Sequence, residues 1–237
     1  MHFPNDFPIT KRWPPKHADR IQLYSLTTPN GVKISIMLEE TGLPYEAHYV
    51  DFGKKDQKTP EFLSLNPNGK IPAIIDPNGP DGKPLSLFES GAILEYLAHK
   101  SGKLMPQDPT LAWQARQWVY FQVGGIGPMF GQVGYFKKFD GKEISDPRVL
   151  QRYVDESKRL FGILDQHLDD RTWMMGDEFT IADVALIGMV RNFISFYEAG
   201  DLVGYDSFSH VKAWMTRSLA RPAVQRGLAI PASSAEK

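Results

Sequence analysis

A chain of 237 residues with 42% hydrophobic and 23% charged residues has the composition of a globular protein, long enough for two modest domains or one large one. Its 27 basic and 28 acidic side chains leave a formal net charge of −1, so no global field draws it to nucleic acid or to an anionic membrane face. The absence of cysteine excludes disulfides, zinc–thiolate sites and a protein thiol nucleophile, so any sulfur chemistry must use a borrowed sulfur.

Residues 1–20 carry Pro4, Pro8, Pro14 and Pro15 among charges and lack the apolar run of a signal peptide. Apolar stretches such as 184–190 fall far short of the roughly 20 residues that span a bilayer, and a cytoplasmic location is the expectation. The proline-rich start reads as a stiff extension whose Trp13 is an anchor-like aromatic, expected to wrap over a partner subunit.

Residues 21–25 read I-Q-L-Y-S, an alternation that predicts a half-buried strand. A helix is predicted directly after it. Thr28 serves as N-cap, Pro29 takes the first helical position, where a missing N–H costs nothing, and Val32, Ile34, Ile36, Met37 and Leu38 supply apolar surface up to a stop at Gly42. A second strand is predicted at 47–50, then a short helix around 60–65 and a breaker run at Asn66, Pro67, Asn68 and Gly69. Residues 71–75 predict strand, the Gly- and Pro-dense 76–84 a hairpin loop, and 85–88 a last short strand. Glu89 and Ser90 then open a helix with Ile93, Leu94, Tyr96 and Leu97 at helical spacing, ending near Gly102. Residues 21–101 thus form one α/β domain in the order β-α-β-α-β-β-α.

Past Pro109 strand signals become scarce. Helical patterns over 112–120, 149–168, 180–198 and 207–220 predict an all-helical domain spanning 110–229, with a flexible tail at 230–237. Thr180 and Asp183 fit a capping box with a shortened acid ahead of an apolar segment. Gly124, Gly125, Gly127, Pro128, Gly131 and Gly134 fall inside an expected long helix, where each interior glycine costs about 1 kcal/mol relative to alanine. Such a run predicts close approach, either of a ligand or of a packed neighbouring helix. Its spacing misses the dinucleotide fingerprint, the six histidines show no metal-ligand spacing, and no G-x-S-x-G elbow appears.

Three places are candidates for chemistry. Thr28, Pro29 and Asn30 join a strand edge to a helix N-terminus, where free N–H groups and the positive end of the dipole favour a thiolate. A thiol with a reference pKa of about 8.5 needs only about one unit of depression to be largely ionised at neutral pH. Ile71 and Pro72 are a natural place for a cis bond, which would turn the N–H and C=O of Ile71 toward a peptide-like ligand. Glu89 and Ser90 precede another helix, where N–H groups and a hydroxyl can receive a carboxylate and Glu89 can neutralise an ammonium. Ordinary helix capping and a strand-edge proline are the competing explanations for these three features.

The sequences T-P-N-G-x-K, N-P-N-G-K-I-P-A and F-E-S-G-A-I-L-x-Y-L, in this order and spacing, resemble the glutathione-binding half of glutathione transferases. Thr28 to Asn30, the segment 121–132 and the box at Thr180 and Asp183 are most similar to the bacterial nu class, near relatives of a yeast nitrogen regulator; the resemblance runs from about Ile21 to Ala229. It implies an N-terminal thioredoxin-like domain (α/β) followed by an all-α helical bundle domain, and a homodimer. It implies Thr28 and Asn30 near the sulfur of glutathione, Gln57 and Lys70 at its glycine end, the backbone of Ile71 before Pro72 along its middle, and Glu89 with Ser90 at its γ-glutamyl end. Gln132 and Arg152 would face a second glutathione or disulfide. Tyr24 and Ser25, on the preceding strand, contest the place of Thr28.

The resemblance further implies a glutathione-dependent disulfide-bond reductase that holds two glutathiones or glutathione disulfide without a protein cysteine, glutathione serving as cosubstrate and no metal being required. The alternatives are conjugation of glutathione to small electrophiles, and a non-catalytic glutathione-binding regulator. The chain has no Gln/Asn-rich tail, which weighs against the regulator.

Overall fold

The computed structural model describes residues 7–232, which fall into two compact units. The first holds the chain up to Ser101 and again from Pro222; the second is Gly102–Arg221. The sequence reading carried the helical domain on to 229, whereas 222–232 group with the first unit. The last five residues, in the tail expected to be flexible, and residues 1–6 of the extension lie outside the described residues.

The first unit is built on four strands, β1 (Ile21–Ser25), β2 (Tyr45–Tyr49), β3 (Ala73–Asp76) and β4 (Leu85–Phe88), in the order β2-β1-β3-β4. Strand β1 runs parallel to β2 and antiparallel to β3, and β3 antiparallel to β4. The parallel step needs a crossover, supplied by helix α2 (Gly31–Thr41). Its apolar residues Ile34, Ile36, Met37 and Leu38 are fully buried, each contributing about 1.5–3 kcal/mol. It stops where expected, at Gly42, whose φ of 73° closes the helix with an N–H donated to the carbonyl of Leu38. Short helix α3 (Pro60–Leu65) and helix α4 (Ser90–Ser101) follow β2 and β4. A further short helix, α1 (Ile9–Arg12), was not predicted: four prolines hid a single turn.

The chain returns to this unit as α11 (Pro222–Gly227), which packs on α2. Ser35 donates its hydroxyl to the carbonyl of Gly227 at 2.6 Å, and a Cβ on Gly227 would stand 2.6 Å from the backbone of Ile36, so only glycine allows this approach.

The second unit is helical: α5 (Pro109–Phe121), α6 (Gly127–Lys138), α7 (Pro147–His167), α8 (Ile181–Ser195), α9 (Gly200–Val203) and α10 (Ser209–Ala220). Its core centres on Phe130, Phe161 and Phe193, with ring centroids 4.5–5.3 Å apart. Helix α8 is apolar over most of its surface and buried from Ile181 to Val190, as its sequence demands. The box is present at its start: Thr180 accepts from the backbone of the first turn, and Asp183 accepts the Thr180 N–H at 3.0 Å.

The glycine-rich run forms a π-helical turn over Gln122–Ile126 that joins α5 to α6. A Cβ on Gly134 would enter the ring of Tyr197 at 2.3 Å, a packed neighbour, whereas a Cβ on Gly124 or Gly131 would meet nothing within 4 Å. Among the described residues no helix is long and apolar enough to cross a membrane, and no group of His, Cys, Asp or Glu has metal-binding geometry.

Candidate active site

Strand direction and register gather the candidate residues of the first unit at one end of the sheet. Tyr24 of β1 faces Ala73 of β3, and Ala73 faces Phe88 of β4, so β1 and β4 finish where β3 begins. Ser25 also faces Tyr49 in the parallel pair, so β2 finishes at that end too. The segments holding Thr28 and Asn30, Ile71 and Pro72, Glu89 and Ser90, and the loop to Gln57 therefore all leave the sheet on the same side. A sequence separation of 62 residues, from Thr28 to Ser90, is closed by pairing alone.

Thr28 caps α2 in its hydrogen bonds, although the regular helix begins at Gly31. Its carbonyl accepts the Val32 N–H at 3.0 Å and its hydroxyl accepts the Gly31 N–H at 3.4 Å. The hydroxyl proton has no acceptor among the described residues, which leaves it able to donate outward to an anion. Asn30 is exposed and its side chain makes no capping bond. A Cβ at Gly31 would lie 1.9 Å from the carbonyl oxygen of Leu26, so the turn closes only around glycine and brings the first-turn N–H groups to the strand end.

The rival hydroxyls are sealed off. Tyr24 is fully buried among Ile9, Val50 and Phe62, stacks on His48 at 4.7 Å, and its hydroxyl has no hydrogen-bond partner. Burial, followed by the charge of Glu46, pushes its phenol well above the usual tyrosine range, opposite to what activation of a thiol requires. Ser25 is equally buried and turns its hydroxyl to the Leu26 carbonyl at 3.4 Å. Of the three, Thr28 alone is reachable from solvent.

The bond between Ile71 and Pro72 is cis, as the sequence led one to expect. Both residues are buried, and neither the N–H nor the C=O of Ile71 has a hydrogen-bond partner among the described residues. Lys70 is exposed, and its carbonyl is held by the Asn66 side-chain amide at 2.6 Å. Gln57 sits on a short 3₁₀ turn, Asp56–Lys58, with its side-chain oxygen buried and unpartnered.

Glu89 takes φ 72° with its side chain exposed, and its carbonyl accepts the Ile93 N–H to start α4. Ser90, nearly buried, accepts a hydrogen bond from Lys33 Nζ at 3.1 Å. Lys33 is 1% exposed, and burial lowers its ammonium to about 7, partly opposed by Glu89. Lys33 stands in the motif T-P-N-G-x-K without a role assigned from sequence. The signal was present: one lysine among Val32, Ile34, Ile36 and Met37, where a helix packed on a sheet leaves no place for a charge without a partner.

Gln132 and Arg152 belong to the second unit. Gln132 is half-buried on α6 and Arg152 is exposed on α7, and neither side chain hydrogen-bonds a described residue.

A sheet-end site of this kind, joining a helix N-terminus, a cis-proline loop and a second helix start, is that of a thioredoxin-like domain. Residues 20–99 match the family model of the glutathione S-transferase N-terminal domain and 129–222 that of the glutathione S-transferase C-terminal domain. The chain belongs to the glutathione S-transferase family. It is 42% identical over 209 residues to the disulfide-bond oxidoreductase YfcG of Escherichia coli K12, covering 88% of this chain and 94% of that one. A glutathione transferase of Burkholderia graminis, solved with two glutathione molecules per subunit, is 64% identical with a TM-score of 0.95, over 96% of this chain and 95% of that one. A glutathione transferase of Pseudomonas putida, solved with one glutathione disulfide per subunit, is 61% identical with a TM-score of 0.94, over 96% of this chain and 98% of that one.

Proposed function

We propose that the protein is a glutathione-dependent disulfide-bond reductase that binds two glutathiones, or glutathione disulfide, and uses glutathione as its cosubstrate. The observation that carries the reading is the Thr28 hydroxyl at the start of α2, which accepts the Gly31 N–H and has no acceptor for its own proton among the described residues, in a chain with no cysteine of its own. Relatives bearing the oxidoreductase name, and neighbours holding two glutathiones or the disulfide, support the same reading.

In this reading Thr28 donates its hydroxyl proton to the glutathione sulfur, and the Asn30 amide and the first-turn N–H groups of α2 add positive potential, favouring the thiolate. The γ-glutamyl end lies at Glu89, which takes the ammonium, and at Ser90, whose hydroxyl donates to the carboxylate because its oxygen already accepts from Lys33. The unengaged N–H and C=O of Ile71, before Pro72, pair with the cysteinyl backbone, and Gln57 with Lys70 holds the glycine end. Gln132 and Arg152 face the second tripeptide.

The thiolate attacks one sulfur of a substrate disulfide, forming a mixed disulfide and releasing the other half as a thiolate that takes up a proton. The second glutathione, as thiolate, attacks the mixed disulfide at its glutathione sulfur, releasing the remaining substrate thiol and leaving glutathione disulfide. Two electrons pass from two glutathiones to one disulfide, and no protein atom changes oxidation state.

The active form is a homodimer in the cytoplasm. Trp113 and Tyr120, 67% and 59% exposed and seven residues apart on one face of α5, are the apolar surface that a second copy would cover. Purified protein should reduce 2-hydroxyethyl disulfide with glutathione. Robust conjugation of an aryl halide with no detectable disulfide reduction would transfer the assignment to conjugation chemistry.

A further inference from the structure

The extension at the start of the chain takes no part in the reading above, yet one of its contacts reaches the loop that carries Gln57. Trp13, the anchor-like aromatic of the extension, packs within its own unit. Its indole N–H donates to the Tyr49 carbonyl at 3.1 Å, and its ring meets Tyr24 and Phe62 edge-on at 5.9 and 6.5 Å. One residue earlier, at the end of α1, Arg12 pairs with Asp56, whose side chain is 8% exposed.

Asp56 organises the loop after β2. Its second carboxylate oxygen accepts the Asp51 N–H at 3.0 Å, its own N–H donates to the Asp51 carbonyl at 3.0 Å, and its carbonyl accepts the Thr59 hydroxyl at 2.8 Å. The charge that folds this loop is thus balanced from outside it, by Arg12. Gln57 is the next residue, its side-chain oxygen buried without a partner. The same turn backs onto the segment leading to Lys70: a Cβ on Gly69 would lie 2.9 Å from the Gln57 carbonyl oxygen and 2.8 Å from Lys58 Nζ.

We infer that Arg12 is a positioning residue for the glycine end of glutathione: by holding Asp56 it fixes the turn that sets Gln57 and, through the contact at Gly69, the backbone at Lys70. The inference rests on the glutathione reading above. It differs from a merely structural strap in being selective for one end of the ligand.

The test is calorimetry on the full chain with two peptides, glutathione and γ-glutamylcysteine, which lacks the glycine. Arg12→Met should weaken glutathione about tenfold while changing γ-glutamylcysteine by less than about twofold, so the preference for the tripeptide collapses; Arg12→Lys should restore most of it. Asp56→Asn should give the same selective loss and provides an independent readout if the methionine variant folds poorly. Unchanged glutathione affinity in both variants, or equal weakening of the two peptides, overturns the inference and leaves the glutathione reading standing. Wild-type protein that binds neither peptide overturns that reading, and the inference with it.

Discussion

Helices α2 and α8 each begin with a threonine whose hydroxyl accepts a first-turn N–H, and they use it in opposite ways. At α8 the cap is closed. Thr180 and Asp183 are buried, and the Asp183 carboxylate accepts from Met174 N at 2.9 Å, Thr180 N at 3.0 Å and Trp214 Nε1 at 2.8 Å. Burial raises its carboxyl to about 6 against the pull of those donors, and both of its oxygens are committed to protein groups. At α2 the cap is open: the Thr28 contact is long at 3.4 Å, Asn30 reaches solvent, and the hydroxyl proton is uncommitted. Donors that are all satisfied stabilise a fold; donors left over bind something.

The strongest way to break that comparison is at the closed cap. Asp183→Ala strands three buried donors, each costing about 1–3 kcal/mol, and should lower unfolding stability by about 3–5 kcal/mol in urea denaturation. A loss below about 1 kcal/mol would mean that the network is not the keystone of the helical unit.

The open cap should give the opposite profile. Thr28→Val keeps the shape and removes the hydroxyl; because the bond it makes is long, stability should fall by less than about 1 kcal/mol. Disulfide reduction should drop about ten- to a hundredfold, the worth of one hydrogen bond to a charged atom. A large stability loss with intact turnover would make Thr28 a second Thr180.

Lys33 sharpens the contrast through pH. Its ammonium is held near 7 by burial, against an ordinary value of 10.5, so between those values the unfolded chain carries the proton and the folded chain does not. From this group alone, wild-type stability rises with pH across that window, by on the order of 1 kcal/mol per pH unit. Lys33→Met lacks that gain, so its stability advantage over wild type should shrink as pH is raised from 7 toward 10. A stability difference between the two that stays flat over this range would contradict the burial argument.

The smallest effect is expected beside the open cap. Tyr24→Phe deletes a buried hydroxyl that has no partner, so stability should be unchanged or higher by up to about 1 kcal/mol. Turnover should stay within about twofold of wild type, since the hydroxyl never reaches the sulfur. A fall matching that of Thr28→Val would return Tyr24 to the site.

Periodicity made the long helices and the position of the strands readable, but the half-buried strand expected at 21–25 is wrong: all five residues of β1, Gln22 and Ser25 included, are buried, because β1 is a central strand paired with β2 and β3. The helix after β1 and its stop at Gly42 follow from cap chemistry that acts within one turn. What local pattern cannot carry is pairing across distance. That α11 returns to α2 depends on Gly227 meeting Ile36, a contact across 191 positions with no local signal. Thr28 could not be separated from Tyr24 and Ser25 by sequence, since the three are neighbours; sheet burial separates them. Lys33 and Arg12 went unassigned for a related reason. Each acts on a residue more than 40 positions away, Ser90 or Asp56, and only the folded chain shows the pair.

The central claim is that a borrowed thiol is held as an anion at the start of α2. Ultraviolet titration of glutathione bound to the protein, following thiolate absorbance against pH, tests it most directly. The account predicts a midpoint below the roughly 8.5 of a free thiol, moving back toward that value in Thr28→Val. A bound thiol that titrates at or above the free value in wild-type protein would contradict it.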